Sequence, residues 1–154
     1  MKLARFIAAG FGTGYAPLAA GTVASAAAVV IGAGLLAISP VALAGAALLA
    51  TAGGGVALRH ARIEGDPSWV VIDEFAGQWI SLLALPRPAI PGLIAAFLLF
   101  RLFDVTKLGP VGWADRQHGA FGIMADDVIA GIISCVLLLL CRWLRPEWIM
   151  GASA

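Results

Sequence analysis

Five stretches of this chain are apolar for nearly the length of a membrane-crossing helix: Gly21–Ile38, Val41–Leu58, Trp69–Leu85, Ala89–Phe103 and Val128–Leu144. Runs of about 20 apolar residues span a bilayer, and shorter ones do so when flanking side chains snorkel or the membrane thins. Ser39-Pro40 parts the first pair and Pro86-Arg87-Pro88 the third from the fourth. Proline at such a place removes a backbone donor where a helix needs none, so both are read as tight turns. The pattern predicts an all-α fold, a polytopic helical membrane bundle of about five membrane-embedded helices. All five runs are slightly short, which leaves open a compact bundle only partly embedded.

Within the first run Ala20, Ala24, Ala28 and Gly32 recur at every fourth residue and form one smooth face. In lipid the hydrophobic effect does not drive helices together, and small faces let them approach closely. Gly53-Gly54-Gly55 in the second run is expected to mark a close crossing or a local break.

Composition strengthens the membrane reading. The 154 residues are 61% hydrophobic and 12% charged, against roughly 25% charged in a soluble domain. From Phe6 to Leu58 there are 53 residues without Asp, Glu, Lys or Arg, more than one soluble core of this size hides. Residues 1–154 are expected to be a single domain. The net charge of +1 gives no reason to expect nucleic acid as a partner. Cys135 and Cys141, six residues apart on one helix, point in different directions and are not expected to pair. The apolar stretch after Lys2 and Arg5 breaks at Gly10, Gly12 and Gly14, too soon for a signal-peptide core, so an uncleaved start is expected. With that start inside, Lys2, Arg5, Arg59, Arg62, Arg101, Lys107 and Arg116 fall on the inner side, against Arg87, Arg142 and Arg145 outside.

Ionisable groups at membrane depth cost a few kcal/mol each, so their positions mark function. Asp73 and Glu74 open the third run, Arg101, Asp104 and Lys107 close the fourth, and Asp126 and Asp127 open the fifth. In the five-crossing topology these clusters, with the Gly-rich segment from Gly10, meet at one membrane face. Neighbours on a helix point about 100° apart. One acid of each pair is therefore expected to face the shared centre, the other to cap its helix or orient a partner. Carboxylate oxygens suit Mg²⁺, which takes one or two carboxylates plus waters and substrate phosphate. Arg offers phosphate two aligned donors, and Lys a point charge. The set points to phosphoryl chemistry on an anionic head group. The chain has no Gly-x-x-x-x-Gly-Lys-Ser/Thr loop, and His60 and His118 form no His-Glu-x-x-His pair. His118 is near enough to the acids to be a candidate general acid, whereas neither cysteine sits in a phosphate-binding loop.

Four blocks, Gly10–Ser25, Trp69–Ile80, Phe100–Arg116 and His118–Gly131, together resemble the phosphatidylglycerophosphatase A family. They cover somewhat under half the chain. Ile-Asp-Glu-Phe-x-Gly and Phe-Arg-x-x-Asp followed by Gly-Ile-Met-x-Asp-Asp-x-x-Ala-Gly make a specific combination. The resemblance implies an Mg²⁺-dependent hydrolase converting phosphatidylglycerophosphate to phosphatidylglycerol and inorganic phosphate in phospholipid biosynthesis. It also implies a helical bundle around a central helix, and a multi-pass place in a bacterial-type inner membrane with the site facing the cytoplasm. Asp73, Glu74, Arg101, Asp104, Lys107, Asp126 and Asp127 match the family's polar positions, as do Gly21 and Thr22. The chain departs from the family where it has Ala20 for Pro, Leu108-Gly109 within Lys-Pro-x-Pro, and Ala120 for Gly, all backbone-shaping positions.

On this reading the five acids are catalytic, and Asp73, Glu74, Asp104 and Asp127 are the candidate Mg²⁺ ligands. Arg101, Lys107, Thr22 and Gly21 bind substrate, a membrane phospholipid. The alternative use of clustered carboxylates is a small cation or proton transporter, although transport sites usually lie near the bilayer midplane.

Overall fold

The structure, a computed structural model, describes residues 2–63, 65 and 67–150. The described residues are helical and include no strand. A short helix α1 (Lys2–Ala8) leads into a 3-10 segment at Gly10–Tyr15, and then come α2 (Ala20–Ile38) and α3 (Pro40–His60). After them are α4 (Ile72–Leu82), α5 (Ile90–Thr106), α6 (Pro110–Asp115), α7 (Gly119–Leu144) and α8 (Pro146–Met150).

The turn at Ser39-Pro40 forms as its chemistry requires. Ser39 is extended, its Oγ accepts from the Val41 amide at 3.0 Å, and Pro40 occupies the first helical position. The Gly53–Gly55 triplet does not break α3, which runs unbroken to His60.

Helix α4 is the centre of the bundle, and packs against α2, α3, α5 and α7. Of its 11 residues all but Glu74 and Ile80 are buried. The small face of α2 receives it: Trp79 Nε1 donates to the Ala28 carbonyl at 2.8 Å, and a Cβ at Gly32 would stand 2.8 Å from the Trp79 ring. The glycine-rich entry serves the same helix. Val71 donates to the Ala8 carbonyl at 2.9 Å, Tyr15 stacks on Trp69, and Arg5 lies 5.2 Å over the Trp69 ring. These contacts fix the direction in which α4 begins.

The expectation of five crossings needs correction on two counts. Helices α2, α3 and α7 are long and apolar enough to cross a membrane, but α4 is 11 residues, or about 16 Å at 1.5 Å per residue against a hydrocarbon core of about 30 Å. The apolarity of Trp69–Leu85 serves the protein interior, not lipid. In α5, 17 residues long, Arg101 and Asp104 occupy the last turn and a half. The second correction concerns α7. It starts at Gly119, not near Val128, so Asp126 and Asp127 lie two turns inside a helix and cap nothing.

Contacts fix the helix directions. Gly21 lies against Glu74, and Ala28 against Trp79, so α2 and α4 run together; Asp73 and Glu74 stand beside Asp127 and Gly77 beside Gly131, so α7 runs with them. Ser81 on α4 donates to Ala96, upstream of Arg101 on α5, so α5 returns. The starts of α2, α4 and α7 and the end of α5 therefore share one end of the bundle.

Candidate active site

At that end lies a cavity of about 420 Å³ whose lining includes Gly21, Thr22, Asp73, Glu74, Arg101, Asp104, Lys107, Asp126 and Asp127. The nine polar and glycine positions named as site residues in the sequence thus meet in one place; His118 does not. Both members of each acidic pair line it, and Asp126 orients a partner there by accepting from Lys107. Ala16, Pro17, Ala19, Ser68 and Val70 complete the wall from the loops before α2 and α4.

The acids divide into two groups. Carboxylate oxygens of Asp73, Glu74 and Asp127 lie within 4.8 Å of one another, a spacing that one cation could bridge. Asp73 and Asp127 are buried, the latter only 2% exposed. Glu74 Oε2 is also shielded and has no hydrogen-bond partner among the described atoms. A buried carboxylate oxygen left without a donor is costly, and a hard cation is the partner that such a set of oxygens fits.

Asp104, expected among the metal ligands, is engaged by cations of the chain itself. It accepts from Arg101 Nη1 on one oxygen and from Lys107 Nζ at 3.1 Å on the other. Lys107 also donates to Asp126 at 2.5 Å and lies 3.6 Å from Asp115. Its backbone ends α5 in the left-handed region, φ 50°, which turns the side chain back over the acids. A non-glycine residue there is uncommon and strained, and such strain gathers at functional sites. Burial opposes the Lys107 ammonium, but Asp126, backed by Asp104 and Asp127, outweighs it and raises the amine above its usual range. Lys107 thus stays charged throughout neutral pH.

Two partners were not foreseen. Ser25, buried on α2, accepts from Arg101 Nη1 at 3.4 Å while donating to the Gly21 carbonyl at 2.8 Å. It lies one helical turn after Gly21, a spacing that could have flagged it. Asp115 carried no signal, because its link to Lys107 depends on the turn after α5. His118 is exposed at the start of α7 and belongs to a neighbouring hollow with Arg116 and Asp126, not to this cavity. The cysteines are free thiols.

Gly21 has a specific place in the geometry. A Cβ there would overlap Glu74 Oε1 and reach 3.4 Å from Arg101 Nη1. The carboxylate is the far end of a flexible side chain, so Gly21→Ala should displace Glu74 without unfolding the bundle. The expected result is turnover reduced about tenfold or more, since a misplacement near 1 Å is that costly, with little change in thermal midpoint. Unchanged turnover would show that Glu74 need not sit where it does.

Residues 6–142 match the family model described as Phosphatidylglycerophosphatase A. A phosphatidylglycerophosphatase A of Escherichia coli is 38% identical over 150 residues, covering 94% of this chain and 85% of the relative. A Bacteroides thetaiotaomicron protein with the provisional name phosphatidylinositol-3-phosphatase is also 38% identical, over 89% of this chain and 92% of its own. A phosphatidylglycerophosphatase A of Haemophilus influenzae is 38% identical over 79 residues, about half of each chain. No solved structure matches at the same stringency.

Proposed function

This chain belongs to the phosphatidylglycerophosphatase A family, a membrane phosphatase of phosphoric monoesters, and from that premise we propose that it hydrolyses phosphatidylglycerophosphate to phosphatidylglycerol and inorganic phosphate. The single observation that carries the reading is the meeting of Asp73, Glu74 and Asp127 with Arg101 and Lys107 in one cavity. Anion-binding cations beside a cation-binding carboxylate set is what a phosphate monoester needs.

Asp73, Glu74 and Asp127 would hold Mg²⁺, which supplies charge neutralisation at the phosphoryl oxygens when bound. Arg101 and Lys107 grip the non-bridging oxygens and stabilise the charge that grows there as water attacks. Asp104 and Ser25 orient the Arg101 guanidinium, and Asp104 and Asp126 hold the Lys107 ammonium. A carboxylate of the set takes a proton from water as the water oxygen bonds to phosphorus, the phosphorus–oxygen bond to the glycerol breaks, and that carboxyl returns the proton to the departing oxygen. Gly21 and Thr22 line the cavity at the start of α2 and would border the phosphate.

In the bilayer α2, α3 and α7 cross while α4 and α5 complete the bundle, with the cavity at the cytoplasmic surface of the inner membrane. The bias of Lys and Arg towards that end supports this orientation. The transporter reading is not favoured, since the carboxylates stand among phosphate-binding cations in a phosphatase family.

The test is phosphate release by purified protein in mixed micelles of phosphatidylglycerophosphate, phosphatidylinositol 3-phosphate or phosphatidate, with Mg²⁺ or chelator. The expected result is release from phosphatidylglycerophosphate in Mg²⁺, lost with chelator. Faster release from another lipid would overturn the substrate, and release unaffected by chelator the metal.

A further inference from the structure

A second hollow lies one to two helical turns along α2 and α5 from the cavity. Helices α2 and α5 are antiparallel, and beside them a crevice of about 200 Å³ is lined by Ala26, Val29, Leu93, Ile94 and Phe97, all apolar. Its two walls are in register with the cavity. On α2, Thr22, Ala26 and Val29 follow one another at i, i+4 and i+7, one face of the helix; Thr22 lines the cavity and the other two the crevice. On α5, Arg101 lines the cavity and Phe97, Ile94 and Leu93 precede it by four, seven and eight residues on the same stripe. Each stripe descends about 10 Å from polar cavity to apolar crevice. Ala26 and Ile94 are exposed and the other three half-buried, so the crevice is open along the side of the bundle. Helix α2 is itself a candidate membrane span, so that side faces lipid.

We propose that this crevice is the subsite for an acyl chain of the lipid whose phosphate enters the cavity, and that the substrate arrives laterally between α2 and α5. The inference rests on the phosphatase reading for its ligand. Its own ground is the register: the ligand must be anionic where Arg101 stands and hydrocarbon one to two turns deeper, which describes a phospholipid and not a soluble phosphate ester. Arg101, held by Asp104 and Ser25 at the junction, fixes the depth at which head group gives way to chain.

The test uses the whole protein in micelles, with Val29→Trp to fill the crevice and Leu48→Trp, on an exposed part of α3, as control. Dioleoyl phosphatidylglycerophosphate is compared with its water-soluble deacylated head group. Val29→Trp should lower kcat/KM on the dioleoyl lipid about tenfold and leave the deacylated compound within about twofold, while Leu48→Trp changes neither. Equal losses on both compounds, or no loss on the lipid, would overturn the proposal. A readout independent of turnover and of the variant's folding is photolabelling of the unaltered protein. A phosphate-bearing lipid with a mid-chain diazirine should label Val29 and Phe97 in preference to Leu48, and its dephosphorylated counterpart should not. Labelling spread evenly over exposed helices would overturn the subsite. Absence of phosphate release from any lipid, with crevice labelling intact, would instead sink the phosphatase reading alone.

Discussion

Asp127→Asn should lower phosphate release by a factor of about 10³ or more, the range seen when a group acting on developing charge is removed, and should not unfold the protein. Asp127 is 2% exposed and shares the cluster with Asp73 and Glu74. Asparagine keeps the volume and one oxygen but removes the charge, and two carboxylates then remain where three converge. Glu74→Gln should have a similar effect. If both residues act through one bound cation, the double variant should be little worse than either alone, because groups that act as a unit are strongly non-additive. Multiplied losses would mean that the two acids work separately.

A second readout separates catalysis from folding. Three ionised carboxylates within 4.8 Å repel one another, and a cation between them offsets that repulsion. In chelator, Asp127→Asn should therefore melt no lower than the parent. On adding Mg²⁺ the parent midpoint should rise, as ligation of the native state requires, and the variant midpoint should move far less. A variant that melts well below the parent in chelator would mark Asp127 as a structural residue and would remove the reason to place a cation there.

The contrast between what could and could not be read in the sequence has physical causes. Asp73, Glu74, Arg101, Asp104, Lys107, Asp126 and Asp127 were legible because charge in an apolar chain is expensive and needs a reason. Their convergence followed from antiparallel helices joined by tight turns. The destination of each apolar run was not legible. A helix buried in protein on every side and a helix buried in lipid have the same composition, so α4, the central element, read as a span. The start of α7 was missed because nothing in Gly119–Ala125 distinguishes a loop from a first turn; only packing against α6 and α4 settles it. Within the cavity, the engagement of Asp104 by Arg101 and Lys107 depends on the left-handed turn at Lys107, a residue with no intrinsic preference for it.

Least legible of all was the crossing beneath the acids, where a single methyl group should have a large effect. A Cβ at Gly131 of α7 would come within 2.9 Å of the Gly77 backbone, and a Cβ at Gly77 of α4 would come as close to the Asp127 backbone. Each glycine lies about one turn below an acid, Gly77 below Asp73 and Gly131 below Asp127, so the crossing sets the gap across which the acids face. Gly131→Ala meets main chain, which has no rotamer to change, and the helices must part. The expected cost is about 1–3 kcal/mol, typical of overpacking, with turnover lost as well because Asp127 moves with its helix. Gly34→Ala and Gly45→Ala are the controls: nothing lies within 4 Å of a Cβ at either site, and each replaces the poorer helix former, so stability should hold or rise by up to about 1 kcal/mol. Thermal unfolding of the three variants in one detergent should therefore give opposite signs for the same chemical change. A Gly131→Ala midpoint equal to the parent's would mean that α4 and α7 do not approach closely enough to set the spacing of the acids.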